Sequence, residues 1–160
     1  MGDMMSESPF ILFLCARIFS VVIIQTWFVA DEYWQANEVA HHLAFGYGYL
    51  TWEWREGIRS AFYPSILAAV FKILQLLRLD YALILIQFPR ILHAIFFSLG
   101  DLYTWKLSNK LYGADSATWS GIFLASSWFL TYCAPRTISS GPETVLNIIA
   151  LYHYPWEALR

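Results

Sequence analysis

The chain has 160 residues, of which 58% are hydrophobic, 19% are aromatic and only 14% are charged. Soluble proteins carry about 25% charged residues, so this composition is typical of a protein that lies in a lipid bilayer. Ten Lys and Arg residues stand against twelve Asp and Glu residues, which gives a net charge of −2. Without a strongly basic surface, the chain is not expected to bind nucleic acid.

Long apolar runs predict an all-α fold, a polytopic bundle of transmembrane helices. The first four runs cover residues 9–30, 61–79, 81–99 and 118–134. The first would extend about 33 Å as a helix, enough to cross a hydrocarbon core of about 30 Å. Arg17 and Gln25 lie inside it, so one side of this helix should face protein. The third run should kink at Pro89, continue to Tyr112 as a more polar helix and end at Gly113.

A fifth apolar run, residues 144–156, has 13 residues, fewer than the roughly 20 that a spanning helix needs. Because this fifth run is too short, we expect residues 1–160 to form the N-terminal portion of a single membrane domain, truncated within its fifth helix.

Lys and Arg residues lie on both sides of the predicted spans, so their distribution does not decide the orientation.

A polar segment, residues 31–60, separates the first two apolar runs and holds five of the twelve acidic residues. If its start is helical at about 100° per residue, Asp31, Gln35, Glu38 and His42 fall within an arc of roughly 60°. At a membrane boundary, this polar stripe is either a catalytic or binding surface or a solvated helix face.

Asp31 and Glu32 open this segment and are the candidate catalytic residues. A carboxylate at the rim of an apolar bundle can act as a general base on a substrate hydroxyl. The alternative is that Asp31 caps the following helix by accepting hydrogen bonds from its backbone N–H groups. Glu38, His41 and His42 only weakly resemble metal ligands, and no metal site is predicted.

Aromatic and basic side chains crowd the end of the polar segment. Tyr and Trp residues could stack on sugars, but they also collect at membrane interfaces. An Arg pair suits a phosphate group, or it anchors the chain at the membrane surface. The residues concerned are Tyr47, Tyr49, Trp52, Trp54, Arg55 and Arg59.

Charged residues within or beside the later spans fall into two groups, Arg90 with Asp101 and Arg136 with Glu143. These charges either contact an anionic lipid phosphate or a substrate hydroxyl, or neutralise each other inside the bundle. The residues leave both interpretations open.

Several short stretches resemble glycosyltransferase family 22, and the resemblance covers nearly the whole chain from about Ile24. They are residues 28–35, FVADEYWQ, residues 47–54, YGYLTWEW, Arg59 with Tyr63-Pro64, Pro89-Arg90, residues 100–103, GDLY, and Arg136-Thr137-Ile138-Ser139 with Glu143. The chain departs from the family pattern at Ala30, where the family usually has Pro, and near residues 140–143.

The resemblance implies a GT-C fold in the endoplasmic reticulum membrane, with several spans, a cytosolic N-terminus and a luminal catalytic loop at residues 31–60. It implies transfer of mannose from dolichyl-phosphate mannose to a GPI-anchor precursor, where it becomes the third mannose in an α1,2 linkage. The configuration is expected to invert, and no cofactor is expected besides the donor lipid.

In this interpretation, Asp31 is the base and Glu32 its catalytic neighbour. The expected substrate-binding residues are Gln35, Glu38, Trp52, Glu53, Arg55, Arg59, Arg90 and Arg136. The expected partners are the lipid-linked donor, the GPI glycolipid acceptor and the membrane. Two alternatives are an inactive fragment that acts only as a membrane interaction protein, and a small transporter that uses Arg90 and Asp101.

Overall fold

A computed structural model describes residues 9–156, so the first eight and last four residues of the predicted domain lie outside the described residues. Every regular element in the described range is helical, which confirms the all-α prediction. The elements are α1 (Phe10–Ile23), a π-helical turn (Tyr33–Asn37) that continues into α2 (Glu38–Phe45), α3 (Trp52–Arg55), α4 (Phe62–Leu76), α5 (Ala82–Tyr112), α6 (Ala114–Ser126), α7 (Trp128–Cys133) and α8 (Ser140–His153).

Helix α5 lies at the centre of the fold and packs against α1, α6 and α8. Its 31 residues run without a break through Pro89. The helix ends at Gly113, as predicted, where a φ of 89° favours glycine. Within residues 9–156 it is the helix that is long and apolar enough to cross a membrane, whereas α1 and α4 are shorter apolar helices.

Helix α1 is shorter than predicted, because it ends at Ile23 and residues 24–29 are not helical. The Gln25 side-chain amide donates to the carbonyl groups of Val22 at 2.7 Å and of Val21 at 3.3 Å. It thereby satisfies carbonyl groups that the last helical turn leaves without partners. The prediction of one helix over residues 9–30 was therefore wrong for the residues after Ile23.

The predicted fourth span, residues 118–134, is two helices, α6 and α7. The break is at Ser127, whose ψ of 112° is not helical, and whose side chain accepts a hydrogen bond from the Leu130 N–H at 3.4 Å. Serine favours this capping position because its hydroxyl satisfies a free N–H group. The fifth predicted helix begins earlier than expected, at Ser140, with Pro142 in its first turn.

A buried ion pair joins α1 to α5. The Arg17 Nε atom lies 2.6 Å from Asp101 Oδ2, and the two residues are 0% and 4% exposed. Arg17 also donates to the carbonyl of Leu124, near the end of α6, at 2.8 Å. The prediction that Arg17 faces inward is confirmed. Of the two alternatives for Asp101, neutralisation by Arg90 is wrong, because Asp101 pairs with Arg17.

Small residues let α2 approach α4 closely. Ala36, Ala40 and Ala44 are spaced by four residues, so they form one stripe on the helix surface. This stripe packs on the apolar side of α4, which consists of Leu67, Ala68, Phe71 and Leu74. The contact places the start of the polar segment beside the start of α4.

Candidate functional site

A polar cleft of about 270 Å³ lies where the polar segment meets the start of α4 and the connection between α7 and α8. The helix that begins at Asp31 forms one wall, and residues 54–64 and 137–139 form the others. The lining residues are Asp31, Gln35, Ala36, Trp54, Arg59, Ser60, Phe62, Tyr63, Pro64, Thr137, Ile138 and Ser139. The cleft therefore joins three segments that are distant in the sequence.

Asp31 is exposed and lies in the wall of this cleft. Among the described residues, its side chain forms no hydrogen bond. The helix-capping alternative requires such a bond from a backbone N–H group and is therefore not supported. A free carboxylate in a polar cleft can accept a proton from a ligand hydroxyl.

Arg59 lies in the same cleft and is held by Glu53. Its Nε and Nη2 atoms each donate to a Glu53 carboxylate oxygen at 3.1 Å, which is a bidentate pair. This hydrogen bonding raises the pKa of Arg59, and the negative charges of Glu53 and Asp31 raise it further. Arg59 therefore supplies a permanent positive charge near Asp31, with an orientation set by Glu53.

The predicted polar stripe of the helix is only partly present. Asp31 and Gln35 both line the cleft, but Glu38 does not. Between them lies the π-helical turn, in which the Glu38 N–H donates to the Tyr33 carbonyl five residues earlier. The extra residue in this turn rotates the following side chains by about 100° relative to an uninterrupted α-helix.

Because of this rotation, Glu38 faces the loop after α2. Its Oε1 atom accepts a hydrogen bond from the Tyr49 N–H at 3.0 Å. His41 Nδ1 lies 3.2 Å from the carbonyl oxygen of Tyr47 in the same loop. Among the described residues, no group of three His, Cys, Asp or Glu side chains is arranged to hold a metal ion. Glu38 and His41 here fix the shape of the loop.

Glu32 points away from the cleft into a buried cluster, where it is 6% exposed. Its Oε2 atom accepts from the Phe28 N–H at 2.6 Å and lies 3.3 Å from Nη1 of Arg136. Its backbone carbonyl accepts from the Thr137 hydroxyl at 3.2 Å. Arg136 is thus paired with Glu32, so the alternative in which it is neutralised by Glu143 is wrong.

Arg90 and Arg136 both bind the non-helical segment after α1. Arg90 donates to the carbonyl of Ile24 and, at 3.1 Å, to the side chain of Gln87. Arg136 donates to the carbonyl of Thr26. Backbone that is neither helical nor sheet-paired needs such partners where water is scarce. Together with Glu32, the two arginines therefore hold residues 24–29 in place.

These charged groups line a second, smaller polar cavity of about 70 Å³. Glu32, Arg90 and Arg136 contribute to it, and Thr137 lies in the walls of both this cavity and the cleft. The structure thus brings six of the predicted site residues together in two neighbouring groups. Asp31, Gln35 and Arg59 line the cleft, whereas Glu32, Arg90 and Arg136 form the buried cluster behind it.

Trp52 and Arg55 lie outside both cavities. Trp52 is 64% exposed, and the Arg55 guanidinium lies over the Tyr49 ring at 5.5 Å from its centre. Trp54 is the aromatic residue of this segment that lines the cleft, and its indole N–H donates to the carbonyl of Trp34 at 3.1 Å.

Tyr63 is a cleft residue that was not assigned a role from the sequence. Its hydroxyl lies 2.6 Å from Nε2 of His93 on α5. The Tyr63-Pro64 pair belongs to a stretch that carries the family resemblance, but no sequence pattern links it to a histidine 30 positions away. This contact depends on the packing of α4 against α5.

An all-helical fold with an apolar central helix and a carboxylate in a polar cleft is an arrangement suited to an enzyme that works at a membrane. The model of the Alg9-like mannosyltransferase family matches residues 8–159 of the chain. The chain belongs to this family, which confirms the resemblance to glycosyltransferase family 22.

Curated relatives cover nearly all of the chain. Mannosyltransferase APTG1 of Arabidopsis thaliana is 47% identical over 146 residues, which is 91% of this chain and 27% of the relative. GPI alpha-1,2-mannosyltransferase 3 of Homo sapiens is 44% identical over 161 residues, which is 99% of this chain and 29% of the relative. GPI mannosyltransferase 3 of Drosophila melanogaster is 44% identical over 149 residues, 92% of this chain and 25% of the relative.

The chain thus spans between 25% and 29% of the length of these three relatives. No solved structure matches the chain.

Proposed function

We propose that this chain carries the catalytic cleft of a mannosyltransferase of GPI-anchor synthesis. The family membership and the names of the human and Drosophila relatives support this function. The donor would be dolichyl-phosphate mannose, and the acceptor a GPI precursor whose second mannose receives a third in an α1,2 linkage. The reaction as proposed needs no cofactor other than the donor lipid.

The observation that carries the proposal is the position of Asp31 in the polar cleft. Its carboxylate has no hydrogen-bond partner among the described residues and lies near the positive charge of Arg59. In the proposed step, Asp31 takes the proton of the acceptor hydroxyl while the hydroxyl oxygen attacks the anomeric carbon of the donor mannose. The bond from that carbon to the phosphate oxygen breaks, and dolichyl phosphate leaves with the electron pair. One base suffices, because a phosphate leaving group needs little protonation.

The neighbouring residues have supporting roles in this proposal. Gln35 would bind sugar hydroxyls, because its amide both donates and accepts hydrogen bonds. Arg59, oriented by Glu53, would attract the phosphate of the donor. Glu32 and Arg136 would keep the start of the helix, and therefore Asp31, in register with residues 137–139. Arg90, on α5, would hold residues 24–29, which lead into the helix that begins at Asp31.

We further propose that the chain lies in the endoplasmic reticulum membrane as a multi-pass protein, with the cleft on the luminal side. Helix α5 has the length and hydropathy of a span. Helices α1 and α4 expose large apolar side chains, among them Ile11, Phe19 and Leu76. Such surfaces suit contact with lipid or with further apolar helices. Trp52 and Arg55, which are exposed beside the cleft, suit the membrane interface.

A chimera tests the proposed function, because the matched region covers only part of each relative. This chain would replace the matching segment of the human relative, in cells that lack that enzyme. GPI-anchored protein at the cell surface would be measured by flow cytometry, and transfer would be measured in microsomes. The wild-type chimera should restore both, and Asp31→Asn should lower transfer at least about 100-fold, because a positioned general base contributes that much.

Asp80→Asn is the matched control. Asp80 is exposed in the turn after α4, at the other end of that 15-residue helix from the cleft, about 22 Å away. This variant should behave as wild type. Full transfer by Asp31→Asn would refute the role of Asp31 as base. A chimera that inserts stably but restores no transfer would instead favour a non-catalytic membrane interaction protein.

A further inference from the structure

Tyr63 lies at the boundary between two different surfaces. It lines the polar cleft, and it also lines an apolar groove of about 360 Å³ between α4 and α5. His93 lines the apolar groove but not the cleft, and it is 4% exposed. His93 contacts a residue of the cleft through its hydrogen bond with Tyr63.

The hydrogen bonds of His93 set the direction of this contact. Its Nδ1 atom lies 2.8 Å from the Pro89 carbonyl oxygen, which can only accept, so the ring proton is on Nδ1. Among the described residues no acidic side chain contacts the ring, and a buried ring without a counter-charge favours its neutral form. The Nε2 atom is then an acceptor, and the Tyr63 hydroxyl donates to it at 2.6 Å.

This direction determines what Tyr63 can offer to a ligand. The single proton of its hydroxyl is used by His93, so the oxygen retains only lone pairs. A sugar in the cleft has many hydroxyl groups that can donate hydrogen bonds. The Tyr63 oxygen, which can only accept, is a suitable partner for one of them. Without His93 the hydroxyl would rotate freely and could donate or accept.

We propose that Tyr63 binds a hydroxyl of the acceptor sugar through its phenolic oxygen, and that His93 is a positioning residue that holds Tyr63 in this accepting orientation. This inference rests on the proposed function, because it places the acceptor in the cleft beside Asp31. It adds a contact with the acceptor sugar. At the position that this contact reaches, the sugar must carry a group that donates a hydrogen bond.

Steady-state transfer by the chimera in microsomes tests the proposal. The probe is a glycolipid acceptor that ends in two α-linked mannoses, with dolichyl-phosphate mannose held at saturation. Tyr63→Phe keeps the ring and removes only the oxygen. It should raise the KM for the acceptor about 3- to 10-fold, the value of one neutral hydrogen bond, with a smaller change in kcat. KM does not depend on the amount of enzyme, so reduced expression would not hide the result.

Variants of His93 separate positioning from general structure. His93→Gln offers an amide oxygen to the Tyr63 hydroxyl and should keep KM within about 3-fold of wild type. His93→Leu removes the group that receives the Tyr63 proton but leaves the Tyr63 oxygen, so KM should rise, though by less than in Tyr63→Phe. The double variant Tyr63→Phe with His93→Leu should be no worse than Tyr63→Phe alone, because His93 acts through the oxygen that Tyr63→Phe removes.

Tyr81→Phe is the matched control, since Tyr81 is 66% exposed at the start of α5 and lies outside the cleft. An unchanged KM in Tyr63→Phe, equal to that of Tyr81→Phe, would overturn the proposal. So would single effects of Tyr63 and His93 that multiply in the double variant. If Asp31→Asn abolishes transfer while Tyr63→Phe has no effect, only this inference fails. If Asp31→Asn retains transfer, the proposed function fails as stated.

Discussion

Removal of one partner of the buried Arg17–Asp101 pair should strongly destabilise the fold. In the variant Asp101→Ala, the Arg17 guanidinium keeps its bond to the Leu124 carbonyl but loses its counter-charge at a site that is 0% exposed. An unpaired buried charge of this kind costs about 3–5 kcal/mol. For a chain of this length, that corresponds to a fall in Tm of about 6–20 °C.

Thermal unfolding in detergent micelles, followed by the fluorescence of the eight Trp residues, measures this effect. Asp80→Ala, which changes an exposed carboxylate, is the control and should shift the free energy of unfolding by less than about 0.5 kcal/mol.

The double variant Arg17→Met with Asp101→Leu distinguishes the loss of a favourable pair from the burial of an unpaired charge. Replacing a whole buried pair by apolar residues is often close to neutral. Here the Leu124 carbonyl near the end of α6 also loses its donor, which adds about 1–3 kcal/mol. The double variant should therefore lose about 2 kcal/mol less than Asp101→Ala, which is the difference between the middles of these two ranges. Equal or additive losses in the single and double variants would refute the reasoning.

Two further predictions concern packing and the cleft surface. A Cβ at Gly100 would lie 2.9 Å from a methyl group of Val145 on α8, so Gly100→Ala should cost about 1–3 kcal/mol of unfolding free energy. In thermal unfolding, adding Val145→Ala should recover part of this loss, and no recovery would contradict the packing explanation. The Arg59–Glu53 pair is 40% and 26% exposed, so Glu53→Gln should lower stability by no more than about 1 kcal/mol, measured in the same assay. A larger loss would mean that the pair supports the fold as well as the cleft.

The helical elements follow largely from local sequence. Apolar runs predicted an all-helical fold, Gly113 predicted the end of α5, and Arg17 inside an apolar run predicted an inward-facing side of α1. Each of these features depends on side chains within a few turns of one another. Hydrophobic periodicity and the backbone preferences of Gly and Pro act at that range.

The early end of α1 and the partners of the buried charges are features without a local cause, and the predictions for them were wrong. Helix α1 ends at Ile23 although apolar residues continue beyond it. The segment after it is bound by Arg90, Arg136 and Glu32, of which the first two are 66 and 110 residues away from the carbonyl groups they bind. Only the packed structure supplies these partners, and only then can the backbone leave the helix without losing its hydrogen bonds.

The sequence by itself therefore determined the class of the protein, its family and the presence of a carboxylate pair after the first apolar run. The tertiary structure decided where the two carboxylates lie, with Asp31 in the cleft and Glu32 buried against Arg136. It also decided the partner of each buried charge and placed the Tyr63 hydroxyl within hydrogen-bond distance of His93. The physical reason is that helix formation depends on neighbouring residues, whereas charge pairing and cleft geometry depend on which helices pack together.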